Sequence, residues 1–320
     1  MGEWKSFQVG EIGKVITGKT PKTSISDNYG GYIPFLTPSD DMSVKYVRKT
    51  AKTLTEKGLS EVKNAILPAN SVCVSCIGSD LGKVVITTRP TVTNQQINSI
   101  VVDEARFDIS FVYYAMRILG KKLNFISKTS TAVPIVNKSS FSSYEIECPS
   151  LKEQKQIAAV LSVLDAKIEC NRMINNNLQQ QAQAIFKSWF VDFEPFGGVI
   201  PNDWKQTKLG DSCNCILGGT PSRNKSEYWN GSIPWINSGE VNKFRIIKPS
   251  ETITNLGLEK SATKLLPAKT TVLAITGATL GQVSLLEIDA CANQSVVGII
   301  PNDNLPYEYI YPLIKQNIAE

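Results

Sequence analysis

The chain repeats itself at long range. Trp4-Lys5 returns as Trp204-Lys205, and Gly18-Lys19-Thr20-Pro21 returns as Gly218-Gly219-Thr220-Pro221, each two hundred residues later. Tyr29-Gly-Gly-Tyr-Ile-Pro-Phe35 returns at the same offset as Trp229-Asn-Gly-Ser-Ile-Pro-Trp235. After a one-residue slip, Leu67-Pro68-Ala69 becomes Leu266-Pro267-Ala268, and Gly78-Ser-Asp-Leu-Gly82 becomes Gly277-Ala-Thr-Leu-Gly281. Asn94-Gln95 becomes Asn293-Gln294, and Phe111-Val-Tyr113 aligns with Tyr309-Ile-Tyr311 at an offset of 198. Blocks kept in one order at a near-constant offset mean two copies of a unit of about 120 residues or more, so one core must be built twice.

Each copy reads as mixed α/β with many strands. The β-branched runs Ser71–Ile77, Lys83–Thr87 and Ile97–Val102 are short and bounded by Gly, Pro and Asn. Thr270–Thr276, Val283–Leu286 and Ser295–Ile300 repeat them. The aromatic segment Ile109–Leu119 has helical spacing and closes the unit.

Between the copies the sequence changes character. Ser150-Leu-Lys-Glu153 forms a capping box, and from there to about Trp189 no Pro or Gly interrupts. Apolar residues recur by sevens at Ile157, Leu164, Leu178 and Ile185, with Asn171 in the same heptad position. Val160 and Ile174 fill the alternate seam, while Leu161, Ile168 and Ala182 widen the stripe, a pattern suited to packing against other helices. At ~1.5 Å per residue this predicts one helix about 58 Å long, ended by Glu194-Pro195-Phe196-Gly197-Gly198. The expected division is 1–149 for the first domain, 150–193 for the helix and 194–320 for the second domain.

Composition narrows the chemistry. With His at 0, a Ser-His-Asp triad, a His general base and any His-metal site are excluded. The formal charge of +5 suits nucleic acid without requiring it. Cys73 and Cys76 form a CxxC pair, but the second copy places Val272 and Ile275 there, so the thiols are expected in the core and no metal site is expected. Gly13-Lys-Val-Ile-Thr-Gly-Lys-Thr20 matches the GxxxxGK[ST] phosphate-loop pattern. Pro21 follows at once with no helical pattern, and the second copy has Cys213 and Gly219 at key positions, so a phosphate loop is not expected. No glycine-rich cofactor loop, Asn-Pro-Pro-Tyr-like tetrapeptide or acidic nuclease motif is present, so no catalytic residues are expected. No secretory leader is visible and no apolar run approaches the roughly 18 residues of a membrane span, which points to a cytoplasmic protein.

Two domains joined by a helix that begins Pro149-Ser-Leu-Lys-Glu-Gln-Lys-Gln-Ile-Ala158 and continues through Leu161, Leu164-Asp165 and Ile168 resemble the specificity subunits of type I restriction-modification systems. Ala184-Ile-Phe-Lys-Ser-Trp-Phe-Val-Asp-Phe193 resembles the end of that family's spacer. Gly18…Thr20-Pro21, Ile33-Pro34-Phe35 and Gly78…Gly82…Asn94-Gln95 resemble its target recognition domains. The resemblance implies a non-catalytic, DNA-reading subunit in which each domain reads one half of a split double-stranded target. The helix would be a ruler on which methyltransferase subunits dock. S-adenosylmethionine, ATP and Mg would belong to those subunits and to a separate motor-nuclease, with no cofactor in this chain. Family members carry a second spacer helix after the second domain, whereas here Glu320 aligns near Lys122. A shortened gene and a mate helix from another chain both remain open, as does self-association.

Polar loops supply the candidate DNA readers. Lys19, Thr20, Lys22 and Thr23 follow the first repeated glycine, with Ser222, Arg223 and Lys225 in the second copy. Gln95 and Gln96, and Asn293 and Gln294, carry amides suited to adenine, although a pair shared by domains that read different bases also suits a structural role. Ser39-Asp40 against Gly239-Glu240 differ between copies, as specificity residues should. The expected subunit interface is Ile157, Val160, Leu161, Leu164, Ile168, Ile174, Leu178 and Ile185. A tandem protein- or carbohydrate-binding module assembled through a coiled coil is the alternative, and a carboxylate enzyme a third. Affinity for DNA that falls steeply with salt separates the first from both.

Overall fold

The computed structural model of the protein describes residues 3–128 and 136–319. The chain divides into two compact units, Met1–Ile174 and Asn175–Glu320.

In the first unit a five-stranded sheet runs in the order Gly13–Thr17, Ile97–Val102, Val72–Ser75, Val84–Thr87 and Tyr46–Val47. A four-stranded sheet runs Lys52–Leu54, Tyr29–Leu36, Thr91–Thr93 and Ile66–Leu67. These are the β-branched runs of the sequence, and period-two alternation decides what each strand faces. Leu36 and Leu67 of the smaller sheet share a core with Cys73, Val85 and Ile97 of the larger. The other face of the larger sheet, through Val72, Val74, Val84, Ile86 and Ile100, receives Phe111, Val112 and Met116 of the helix Ile109–Lys128. The far face of the smaller sheet, through Ile33, Phe35 and Val92, is closed by Val62, Ala65 and Leu59 around a short helix, Glu56–Glu61.

The second unit repeats the plan. Its five strands run Asn214–Leu217, Val296–Ile300, Thr271–Ala274, Val283–Leu286 and Arg245–Ile246, and its four run Glu251–Ile253, Trp229–Ile236, Ala290–Ala292 and Leu265–Leu266. The strand orders correspond one for one, down to the same parallel pairings of Phe35 with Val92 and Trp235 with Cys291. Ile310 and Ile314 of the helix Tyr307–Ala319 pack on Val283 and Ile299, as the first unit's helix packs on its own sheet. The fold is thus the expected mixed α/β repeat with a long helix, Leu151–Phe190, between the sheet-rich regions.

That helix is anchored at each end within its own unit. In the first, Ser150 Oγ accepts from the Glu153 amide at 3.4 Å, and Ala158 enters the core. Gln154, 1 % exposed, accepts from the Asp108 amide and donates to the Pro149 carbonyl, both at 2.9 Å. In the second unit Phe186 and Phe190 pack on Tyr309 at 5.5 and 5.0 Å, and Phe190 stacks on Trp204 at 5.8 Å. The aromatic run that closes the helix is therefore a tether to the second domain.

Two sequence motifs resolve into packing. Gly13 opens a strand rather than a phosphate loop: a Cβ there would strike the Val101 carbonyl of the neighbouring strand. Cys73 and Cys76 lie three residues apart along extended chain, an odd spacing that sends them into different cores. Burial pushes the Cys73 thiol up to about 12 and raises Cys76 as well, so both behave as small apolar residues.

Candidate nucleic-acid interface

Three loops meet at one end of each domain. The loop after Gly18 approaches the Asn94 turn so closely that any Cβ on Gly18 would overlap the Thr93 and Asn94 carbonyls; Gly218 stands in the same relation to Ala292 and Asn293. Glycine is required there because two backbones touch. The Thr20 hydroxyl then donates to Gln95 Oε1 at 2.6 Å, and Thr220 makes the same bond to Gln294. The Asn94 amide donates to the Leu36 carbonyl and the Asn293 amide to that of Ile236, both at 3.0 Å, drawing in the loop that carries Ser39 or Gly239.

That third loop is held by its carboxylate. Asp40 accepts from the amides of Thr37 (2.7 Å) and Ala51 (2.6 Å). Glu240 does the same for Asn237 (3.2 Å) and Ser250 (2.8 Å). Asp40 and Glu240 differ in length but do one job, and their oxygens are committed to the backbone. The shared asparagines are also structural, with Asn94 Oδ1 accepting from the Gln96 amide and Asn293 Oδ1 from that of Ser295, each at 3.1 Å. The sequence-selected groups of each domain lie on neighbouring loops and separate into scaffold (Thr20, Asp40, Glu240, Asn293, and the acceptor ends of Gln95 and Gln294) and exposed donors.

The exposed donors are Lys19 and Lys22 in the first domain and Arg223 and Lys225 in the second, with Thr23 and Ser222 also exposed. Lys225 donates to the Tyr228 hydroxyl at 3.0 Å, which raises its pKa. The Ser39 loop and the Asn94–Gln96 turn of the first domain border a cleft of about 470 Å³. Ser39, Lys52, Ile77 and Gln96 line it. Lys52 was not singled out by sequence, nor was its counterpart Glu251. Both sit at one register position, opposite Phe35 and Trp235 respectively. Their opposite charge at equivalent repeat positions is a signal the sequence does carry.

The first unit holds a second polar cluster, also missed. Lys45 Nζ donates to Ser162 Oγ (2.7 Å), Ser110 Oγ (3.0 Å) and the Tyr114 hydroxyl (3.3 Å), and Tyr114 donates to Asp165 at 2.7 Å. Burial lowers the Lys45 pKa, opposed by Asp165 and Asp108. The cluster ties the first four turns of the long helix to the domain beside it.

The stripe along that helix is bare. In the first unit Ile157 and Leu161 are half-buried, while Val160, Leu164, Ile168 and Ile174 are 50–65% exposed. In the second, Leu178 and Ile185 are 56% and 60% exposed. No group of three or more metal-ligating side chains occurs among the described residues, and no described helix is long and apolar enough to cross a membrane.

The chain is similar to known proteins. The chain is 30% identical over 293 residues to the type I restriction enzyme MjaIX specificity subunit of Methanocaldococcus jannaschii, covering 87% of this chain and 67% of that one. It is 24% identical over 393 residues to the HindI specificity subunit of Haemophilus influenzae, covering 99% and 83%. The crystal structure of the type I restriction-modification S subunit from M. genitalium has the same fold, with a TM-score of 0.58 at 16% identity over 99% of this chain and 79% of that one. A family model described as the type I restriction modification DNA specificity domain matches residues 1–180 and again 201–320. Those two stretches carry both sheet pairs and both sets of converging loops, and the chain belongs to the type I restriction-modification DNA specificity family.

Proposed function

We propose that this chain is the target-reading subunit of a type I restriction-modification complex and does no chemistry itself. The observation that carries the reading is the pair of equivalent loop clusters on two copies of one scaffold, each presenting basic and amide donors. Each domain reads one half of a bipartite double-stranded target, through Lys19, Lys22 and Gln95–Gln96 in the first and Ser222, Arg223, Lys225 and Gln294 in the second. Phosphate contacts fix register, and base contacts specify sequence. Methyltransferase subunits dock on the bare stripe of the helix and bring S-adenosylmethionine; a motor-nuclease subunit brings ATP and Mg. The complex works in the cytoplasm.

The test is the purified chain with its modification subunits on duplex DNA. Binding should select a split target and weaken steeply with salt, by about 0.9 log units per tenfold salt for each phosphate contacted. The chain alone should show no methyl transfer, ATP hydrolysis or cleavage. Binding indifferent to both sequence and salt would favour a protein- or carbohydrate-binding module.

A further inference from the structure

The two domains present different chemistry on the same loops, and the largest difference centres on Arg223. Its guanidinium lies over the Trp229 ring, 3.7 Å from the centroid, with the Trp235 ring 5.0 Å away. Glu251 grips it from the side, Nη1 to Oε1 at 2.5 Å and Nη2 to Oε2 at 2.9 Å. Trp229 is itself fixed, its Nε1 donating to the Ser222 carbonyl at 3.1 Å and its ring meeting Trp235 edge-on at 5.1 Å. Arginine carries substantial rotamer entropy, so these contacts set its plane before any ligand arrives. A guanidinium has five N–H donors, and Glu251 accepts from two of them. The others remain on a side chain that is 52% exposed.

The fold does not require this arrangement. The first domain has Thr23, Tyr29, Phe35 and Lys52 at the corresponding positions, with Phe35 opposite Lys52 where the second has Trp235 opposite Glu251. Tyr29 still anchors its loop, donating to the Pro21 carbonyl at 2.9 Å. Exposed ion pairs add little to stability, so stability alone does not explain the set. A phosphate contact would suit both domains equally, because the DNA backbone is the same whatever the sequence. A contact equipped in one domain only is what a base reader demands.

We propose that Arg223 reads a guanine in the half-site of the second domain, its free N–H groups donating to O6 and N7 in the major groove. Those two adjacent acceptors match a planar donor fork. Glu251 and Trp229 are positioning residues: they hold the guanidinium and do not meet the base. The inference rests on the DNA-reading function proposed above and names one residue and one base within it.

The experiment uses the chain complexed with its modification subunits, with the methylated motif mapped on genomic DNA and affinities measured on duplexes altered one base pair at a time. Arg223→Ala should relax one G·C pair in one half-site, lowering discrimination there roughly five- to hundred-fold and leaving the other half-site unchanged. Arg223→Lys should also relax it, because an ammonium keeps the charge and loses the fork. Glu251→Gln should weaken the same preference without changing the salt slope. Arg245→Ala is the matched control, an arginine of the same domain that pairs with Glu287 and lies 4.8 Å from the Phe244 ring; it should leave the motif intact. Two results would overturn the proposal: an unchanged motif in Arg223→Ala, or equal weakening on every duplex with a salt slope shallower by about one, the signature of a phosphate contact. If the wild-type complex itself selects no motif, the DNA-reading function fails first, and that outcome is distinguishable from both.

Discussion

Cys73 shows what a single position contributes. Its thiol is fully buried between the sheets of the first unit, where the second unit has Val272, also fully buried. Burial raises the folded-state pKa from 9.0 to about 12, so the native state resists losing a proton that the unfolded chain gives up near 9. The contribution is therefore intact below pH 9 and is lost as pH climbs from 9 toward 12. At pH 10 the loss is on the order of 1 kcal/mol. Cys73→Val should flatten this alkaline decline in the first unit, to be checked by urea melts at pH 8 and pH 10. An undiminished decline in the variant would mean that other thiols or tyrosines carry it. The site residues divide by the same kind of local test. Asp40 and Glu240 were legible as polar loop positions that differ between copies, but only the hydrogen bonds show that both carboxylates hold backbone amides.

At the scale of an element, the long helix carries the sharpest conflict between sequence and solvent. Its heptads were legible because apolar periodicity survives without knowledge of the partner. Its anchors were not: Gln154 and Lys45 act through contacts 46 to 117 residues away, and no local pattern announces them. A run of half-exposed Leu, Ile and Val is rarely left bare in a working protein. Full burial of one such residue is worth about 1.5–3 kcal/mol, so partial burial of several drives association. Leu164→Asp with Leu178→Asp should abolish assembly with methyltransferase subunits or with a second copy, as read by sedimentation, and leave circular dichroism unchanged. A micromolar monomer that the double variant does not alter, in the presence of modification subunits, would remove the helix as an interface.

For the whole molecule, two units that each hold their own cores predict two separable stabilities. Leu36 and Ile236 are equivalent, each 0% exposed and each between the sheets of its own unit. Leu36→Ala and Ile236→Ala should each cost about 2–5 kcal/mol, but in different units. Differential calorimetry should resolve this as one transition moving down in each variant while the other holds. Concerted movement of both transitions would show that the units unfold as one. Duplication also explains the division of labour in the loops: the scaffold bonds of Thr20 and Thr220 recur, while Thr23 and Arg223, or Lys52 and Glu251, are free to diverge.

The sequence by itself determined the duplication, the α/β character of each copy, the spacer helix and the absence of histidine chemistry. All of these are properties of order, composition and period, which need no third dimension. Which polar side chains are free was decided only by the tertiary structure. Gln95 meets Thr20 across 75 residues, Asp40 meets Ala51 across 11, and Arg223 is set between Trp229 and Glu251 across 28. A donor can present itself to a ligand only when no neighbour has already taken it, and neighbours in space are chosen by packing rather than by position along the chain.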